Sequence, residues 1–175
     1  MGGDVHPNDA WSRTLFKQFK DAGVRLFSYI PDAGNARLAV MAEEDNETRC
    51  VLLTTEEEGV SLAAGADLVG EKAVLMMQSS GLGNCPNFLS FVKGGGFPIL
   101  MMISMRGDYG EQNPWQYPMG EAVEPILEAM GVLIFKVERA DELEGAATAA
   151  INAAFSGGKA AALILSQKFL GAKPF

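Results

Sequence analysis

The run Ala73-Val74-Leu75-Met76-Met77-Gln78 passes directly into Ser79-Ser80-Gly81-Leu82-Gly83-Asn84. A short segment that is apolar at both alternating positions reads as a strand covered on both faces. The sudden change to small, polar and glycine residues ends it in a turn. The same unit recurs on either side, with strand-like runs at 25–30, 49–53, 98–104, 132–137 and 160–165. Helical patterns fill the intervals at 35–44, 56–69, 87–92, 121–130 and 141–155. A first helix, capped by Asp9, carries Trp11, Leu15, Phe16 and Phe19 on one face. This strict alternation predicts an α/β fold: a doubly wound six-stranded parallel sheet with helices on both faces. No 20–50-residue repeat and no linker interrupts it, and Gly94-Gly95-Gly96 reads as a turn. Residues 1–175 are therefore expected to form a single domain, with 1–8 as a flexible lead.

Composition narrows the function. The 175 residues carry 14 Lys and Arg against 22 Asp and Glu, a net charge of −8, and no basic cluster. Such a surface does not suit phosphate backbones, so no nucleic-acid partner is expected. Cys50 and Cys85 make neither a disulfide framework nor a zinc cage. His6, the one histidine, lies in the polar lead, which argues against histidine chemistry in the domain core. The longest apolar run, 97–104, is far short of a membrane span, and no basic-then-apolar leader is visible. A cytoplasmic protein is expected.

In such sheets ligands collect beyond the carboxyl ends of the strands. The loops there begin Pro31-Asp32-Ala33-Gly34, Thr54-Thr55-Glu56-Glu57-Glu58-Gly59, Ser79-Ser80-Gly81-Leu82-Gly83-Asn84 and Arg106-Gly107-Asp108-Tyr109-Gly110. The last of these continues through Pro114-Trp115-Gln116-Tyr117-Pro118-Met119-Gly120. The stretches after the last two strands are ordinary. Gly81-Leu82-Gly83 lacks the third glycine of a dinucleotide fingerprint, because Pro86 stands there, and no Gly-Lys-Ser/Thr is present. The bland alternative is a strand-to-helix turn capped by Asn84 or Asn87. Three glutamates at a helix start can simply complement the helix dipole. The small, apolar continuation Val60-Ser61-Leu62-Ala63-Ala64-Gly65-Ala66 also lets one of them enter a dry interface, where a carboxyl can hold or exchange a proton. Met76, Met77, Met101 and Met102 read as core, and Cys85 as a small buried thiol. Trp115, beside two prolines, reads as an interface anchor or lid residue.

Glu56 with Gly65 nine residues later resembles the glutamate helix of thiamine-diphosphate-dependent decarboxylases. Gln78-Ser79-Ser80-Gly81-Leu82-Gly83-Asn84 resembles the glycine loop of their pyrimidine-binding domain. Pro31-Asp32 and the Arg106–Gly120 segment extend the likeness, over nearly the whole chain, to sulfopyruvate decarboxylase α subunits and the matching half of phosphonopyruvate decarboxylase. Ser79 departs from the usual asparagine. The chain has no Gly-Asp-Gly for a metal-bound diphosphate. The resemblance thus implies a pyrimidine domain alone, active only with a β subunit that carries Gly-Asp-Gly and holds Mg²⁺, in a hetero-oligomer of αβ pairs. This chain is expected to hold no metal.

The resemblance also implies roles. Glu56, rather than Glu57 or Glu58, pairs with N1′ of the aminopyrimidine of thiamine diphosphate, and Ser80, Gly81 and Asn84 line the cofactor pocket. Asp32 is either a proton relay beside the substrate or an ordinary turn residue. Arg106 pairs with an anionic substrate head or is solvated. Gln116 stands where related decarboxylases place a histidine. The implied activity is decarboxylation of a sulfopyruvate- or phosphonopyruvate-like 2-oxo acid. Carboligation, decarboxylation of a non-anionic acid, and a non-catalytic partner subunit that retains the fold are the alternatives.

Overall fold

The computed structural model describes residues 10–172. Its strands are β1 (Val24–Tyr29), β2 (Arg49–Leu52), β3 (Lys72–Gln78), β4 (Ile99–Ser104), β5 (Leu133–Val137) and β6 (Ala160–Leu165). Its helices are α1 (Ala10–Asp21), α2 (Ala36–Glu44), α3 (Glu56–Leu68), α4 (Pro86–Gly95), α5 (Tyr117–Ala129), α6 (Leu143–Phe155) and α7 (Gln167–Leu170). The strands form one sheet of order β2-β1-β3-β4-β6-β5, and every pairing is parallel. The doubly wound α/β fold expected from the alternation is the one observed. The flexible lead, His6 and the Asp9 cap lie outside the described residues.

Two layers of core explain why the central strands are apolar throughout. Phe27, Val74, Met76, Leu100, Met102 and Leu163 point to one face, under Leu15 and Phe19 of α1, Leu38 of α2 and Ala147 of α6. Leu75, Met77, Met101, Ile103 and Ile164 point to the other, under Val60 of α3, Leu89 of α4 and Val123 of α5. Each such side chain contributes about 1.5–3 kcal/mol on leaving water. The four methionines read as core are fully buried. Among the described residues, no helix is long and apolar enough to cross a membrane.

Three departures from the sequence reading concern the carboxyl edge. The glycine loop is a 3₁₀ helix, Ser79–Asn84, and Cys85 rather than an asparagine is the N-cap of α4. The long segment after β4 is shorter as a loop than expected, because a 3₁₀ turn at Pro114–Gln116 leads into α5 at Tyr117. The stretch after β6 is not ordinary, since α7 contributes Gln167 to that segment.

Candidate active site

The four unusual loops follow β2, β1, β3 and β4, which are neighbours in the sheet, so they meet along one edge. The chain reverses direction across the sheet between β1 and β3, opening a crevice there. Three polar clusters occupy this edge.

The first is built on Glu56. Gly59 allows α3 to lie close on β3, since a Cβ there would come within 2.3 Å of Leu75 Cδ1. This draws the first residue of the helix inward, and Glu56 is 8% exposed. Asn84 Nδ2 donates to Glu56 Oε2 at 2.8 Å, so of the two roles open to Asn84 it does not cap α4 but binds the buried glutamate. Gly81 packs on the same carboxyl, where a Cβ would fall 2.2 Å from Oε1. Among the described residues, Oε1 has no hydrogen-bond partner. The other two glutamates behave differently: Glu58 is exposed and accepts from Thr54 N at 2.7 Å, and Glu57 accepts from Thr55 Oγ1. Cys85 lies fully buried nearby. Burial, reinforced by the charges of Glu56 and Glu57, pushes its thiol up to about 12, so it is an inert core group.

The second cluster surrounds Asp32. Gln78 Nε2 donates to Oδ1 at 2.9 Å, while Ser104 Oγ and Gly34 N donate to Oδ2 at 2.8 and 2.7 Å. The Gly34 contact is the Asx-type turn expected, and the other two reach across the sheet. Ser80 Oγ donates to Gln78 Oε1 at 2.8 Å, so Ser80 joins this cluster rather than touching Glu56. Asp32, Arg37, Ser104 and Arg106 line a cavity of about 170 Å³.

The third centres on Glu111, a residue the sequence did not single out. Arg106 donates to it through Nε at 2.6 Å and Nη2 at 2.7 Å. The backbone N–H groups of Gly107, Gln112 and Asn113 donate at 3.0, 3.0 and 2.9 Å, and Gln167 Nε2 at 2.9 Å. The Arg106 guanidinium, with these further donors, holds the Glu111 carboxyl well below the usual carboxylate range against the opposing effect of burial. Arg106 is therefore not solvated; its guanidinium is already engaged by a carboxylate. Ser79 ties this cluster to β3, with its Oγ donating to Arg106 O and accepting from Arg106 N. Gln116 joins none of the three, and its Oε1 is buried without a hydrogen-bond partner among the described residues. Trp115 is 87% exposed.

Gln78, Ser104, Glu111 and Gln167 were missed. Gln78 and Ser104 had a visible signal, since each is the polar last residue of a buried strand. Glu111 and Gln167 had none, because apart from Arg106 their partners come from loop backbone and from more than 50 residues away.

Over 132 residues the chain is 36% identical to sulfopyruvate decarboxylase subunit alpha of Methanococcus maripaludis, covering 75% of this chain and 79% of the relative. The chain belongs to the family of sulfopyruvate decarboxylase alpha subunits. The subunit of the same name from Methanocaldococcus jannaschii is 35% identical over 132 residues, 75% of this chain and 78% of its own. Among solved structures, a 2-oxoglutarate:ferredoxin oxidoreductase from Magnetococcus marinus superposes with a TM-score of 0.68 at 15% identity. That match covers 92% of this chain and 29% of the oxidoreductase chain, and it establishes the likeness of fold. No family model matches the chain.

Proposed function

We propose that this chain is the α subunit of a thiamine-diphosphate-dependent 2-oxo acid decarboxylase acting on an acid with an anionic head, of the sulfopyruvate type. The observation that carries the reading is Glu56: a buried carboxyl at a helix start, one oxygen held by Asn84 and the other without a partner among the described residues. The geometry fits an aminopyrimidine ring, because Gly81 keeps open the space beside Oε1 that a side chain would fill. It offers no comparable fit to a metal-bound diphosphate. Among the described residues, no three His, Cys, Asp or Glu are grouped to hold an ion. The lack of Gly-Asp-Gly in the sequence, together with the alpha-subunit relatives, supports assigning Mg²⁺ and the diphosphate to a separate β subunit, and activity to αβ pairs.

When bound, thiamine diphosphate supplies the nucleophilic carbon and the electron sink for loss of CO₂. The protein's part is position and protonation. Glu56 Oε1 holds a proton toward N1′ of the ring, and Asn84, bonded to Oε2, fixes the orientation of that carboxyl. Gly81 admits the ring edge. Asp32 moves a proton at the reacting carbon, its oxygens aimed by the donors around it. Arg106 lends positive potential to the anionic head, tempered by its pairing with Glu111, and the unpartnered Gln116 Oε1 is assigned to the substrate side of the loop.

The test is CO₂ release by the chain co-expressed with its β subunit, with thiamine diphosphate and Mg²⁺. Sulfopyruvate, phosphonopyruvate, pyruvate and benzoylformate form the panel, and each chain alone is the control. Release only from the pair, and chiefly from an acid with an anionic head, is expected. Release from this chain alone would sink the split site, and preference for benzoylformate would sink the substrate class.

A further inference from the structure

Gln78 and Ser104 are register partners at the ends of the two central strands, so their side chains emerge side by side at the carboxyl edge. Both reach the same carboxylate, that of Asp32 beyond β1, one on each oxygen. The approach is tight. A Cβ on Gly34 would fall 2.4 Å from Ser104 Cβ, so only glycine leaves room for this hydroxyl beside the Asp32 turn. An amide can turn either end toward a carboxylate, and only the NH₂ end attracts it. The acceptor-only carboxylate makes that choice, and Ser80, whose hydroxyl can donate or accept, holds the other end of the amide by donating to Gln78 Oε1. An interstrand bond from a middle strand to the loop of its neighbour is not needed to hold a sheet whose core is already closed. Here it spans the crevice between β1 and β3.

We infer that Gln78 is a positioning residue of the active site: with Ser104 it fixes the rotation of the Asp32 carboxylate, and Ser80 acts through Gln78 by fixing its amide. This rests on the role given to Asp32 above. The other charged groups lining the cavity beside Asp32 are Arg37 of α2 and Arg106 beyond β4, the latter already paired with Glu111. Gln78→Glu, nearly isosteric, would set a second carboxyl where the 2.9 Å bond to Asp32 now lies. Two carboxyls so close share one proton, and the pair gives up that proton at a higher pH than either group alone.

The experiment uses the αβ complex for kinetics and the full chain for carbon-13 carboxyl NMR. Gln78→Leu is expected to lower kcat by about tenfold or more with KM little changed, the mark of an interaction made in the transition state. Gln78→Glu is expected to lose kcat as pH rises through a range where the unaltered complex is level. In the full chain its Asp32 carboxyl is expected to titrate at a higher pH than in the unaltered protein. The Glu variant keeps the size and polarity of the side chain, so it decides the matter even where the Leu variant fails to fold. An active wild-type complex, with a Gln78→Glu profile parallel to it and an unmoved Asp32 titration, overturns the inference alone. A wild-type complex that releases no CO₂ from any of the acids overturns the functional reading, and the inference falls with it.

Discussion

Glu56 and Glu111 lie at the same edge of the same sheet and are almost equally buried, 8% and 6% exposed. Their surroundings are opposite. Glu111 accepts from both arms of Arg106, from three backbone N–H groups and from Gln167. Glu56 accepts from Asn84 alone among the described residues. A buried carboxylate is costly unless its oxygens are satisfied, and Glu111 satisfies that condition in full. Its charge is fixed, and the residue serves as an anchor for the 106–117 segment. Glu56 is left incomplete, which is what a group that must bind or hand over a proton requires. Burial alone does not separate the two glutamates; the count of donors does.

The largest expected effect tests the incomplete member. Glu56→Gln retains an acceptor for Asn84 and nearly the same volume, so the melting temperature should stay where it is. Loss of the exchangeable proton should cut CO₂ release from the αβ complex by about 10²–10⁴-fold, the usual worth of a positioned acid–base group. A variant that kept near-normal turnover would make Glu56 merely another satisfied glutamate and erase the contrast.

How far this was legible in the sequence follows from the same contrast. Strands β3, β4 and β6 announce themselves because both of their faces are covered, which demands unbroken apolar runs. The acidic triplet opening a small-residue helix was legible locally, but the choice of Glu56 within it, nine residues before Gly65, rested on the resemblance to the decarboxylase glutamate helix. Its partner Asn84 was seen, but its action was left open between pocket and cap, since an asparagine at a turn serves either. Glu111 sits in an aperiodic loop, and besides Arg106 its donors are backbone groups plus a glutamine near the chain's end. Neither backbone conformation nor a contact across that distance leaves a mark on local residue type. The same reasoning explains why Arg106 was open to a solvated reading: nothing local says that a glutamate five residues on turns back to meet it.

Glu111→Ala should act on stability rather than on the chemical step. It leaves the Arg106 guanidinium and several loop N–H groups without a partner, and breaking one side of a buried ion pair costs about 3–5 kcal/mol. Thermal or urea unfolding of the variant would read this as a marked loss. The pH dependence has a definite sign. Because the folded carboxyl titrates well below its ordinary range, the stabilisation from Glu111 is fully present above the unfolded value of about 4.3. It is lost as pH falls below that toward the depressed folded value. The unaltered protein should therefore lose stability on acidification more steeply than Glu111→Gln. Parallel acid titrations of stability would remove Glu111 as the anchor.

The smallest effects come from two glycines, one beside each glutamate, and they split the contrast most finely. In Gly81→Ala the new methyl meets the end of the flexible Glu56 side chain at 2.2 Å, which can swing aside. Stability should drop by about 1 kcal/mol, the low end of the cost of overpacking, while the displaced carboxyl lowers kcat by about tenfold. In Gly107→Ala the methyl meets the backbone carbonyl oxygen of Gln116 at 2.0 Å, at a left-handed φ of 70°, and neither can yield cheaply. There the cost should appear as unfolding free energy, about 1–3 kcal/mol, measured by the same denaturant curves. Any fall in kcat should be no larger than the loss of folded protein accounts for, a shift of Arg106 or Gln116 reaching the substrate being read in KM alone. Were the two variants to show the same ratio of activity loss to stability loss, the division into an anchoring and a reacting half of this edge would have no basis.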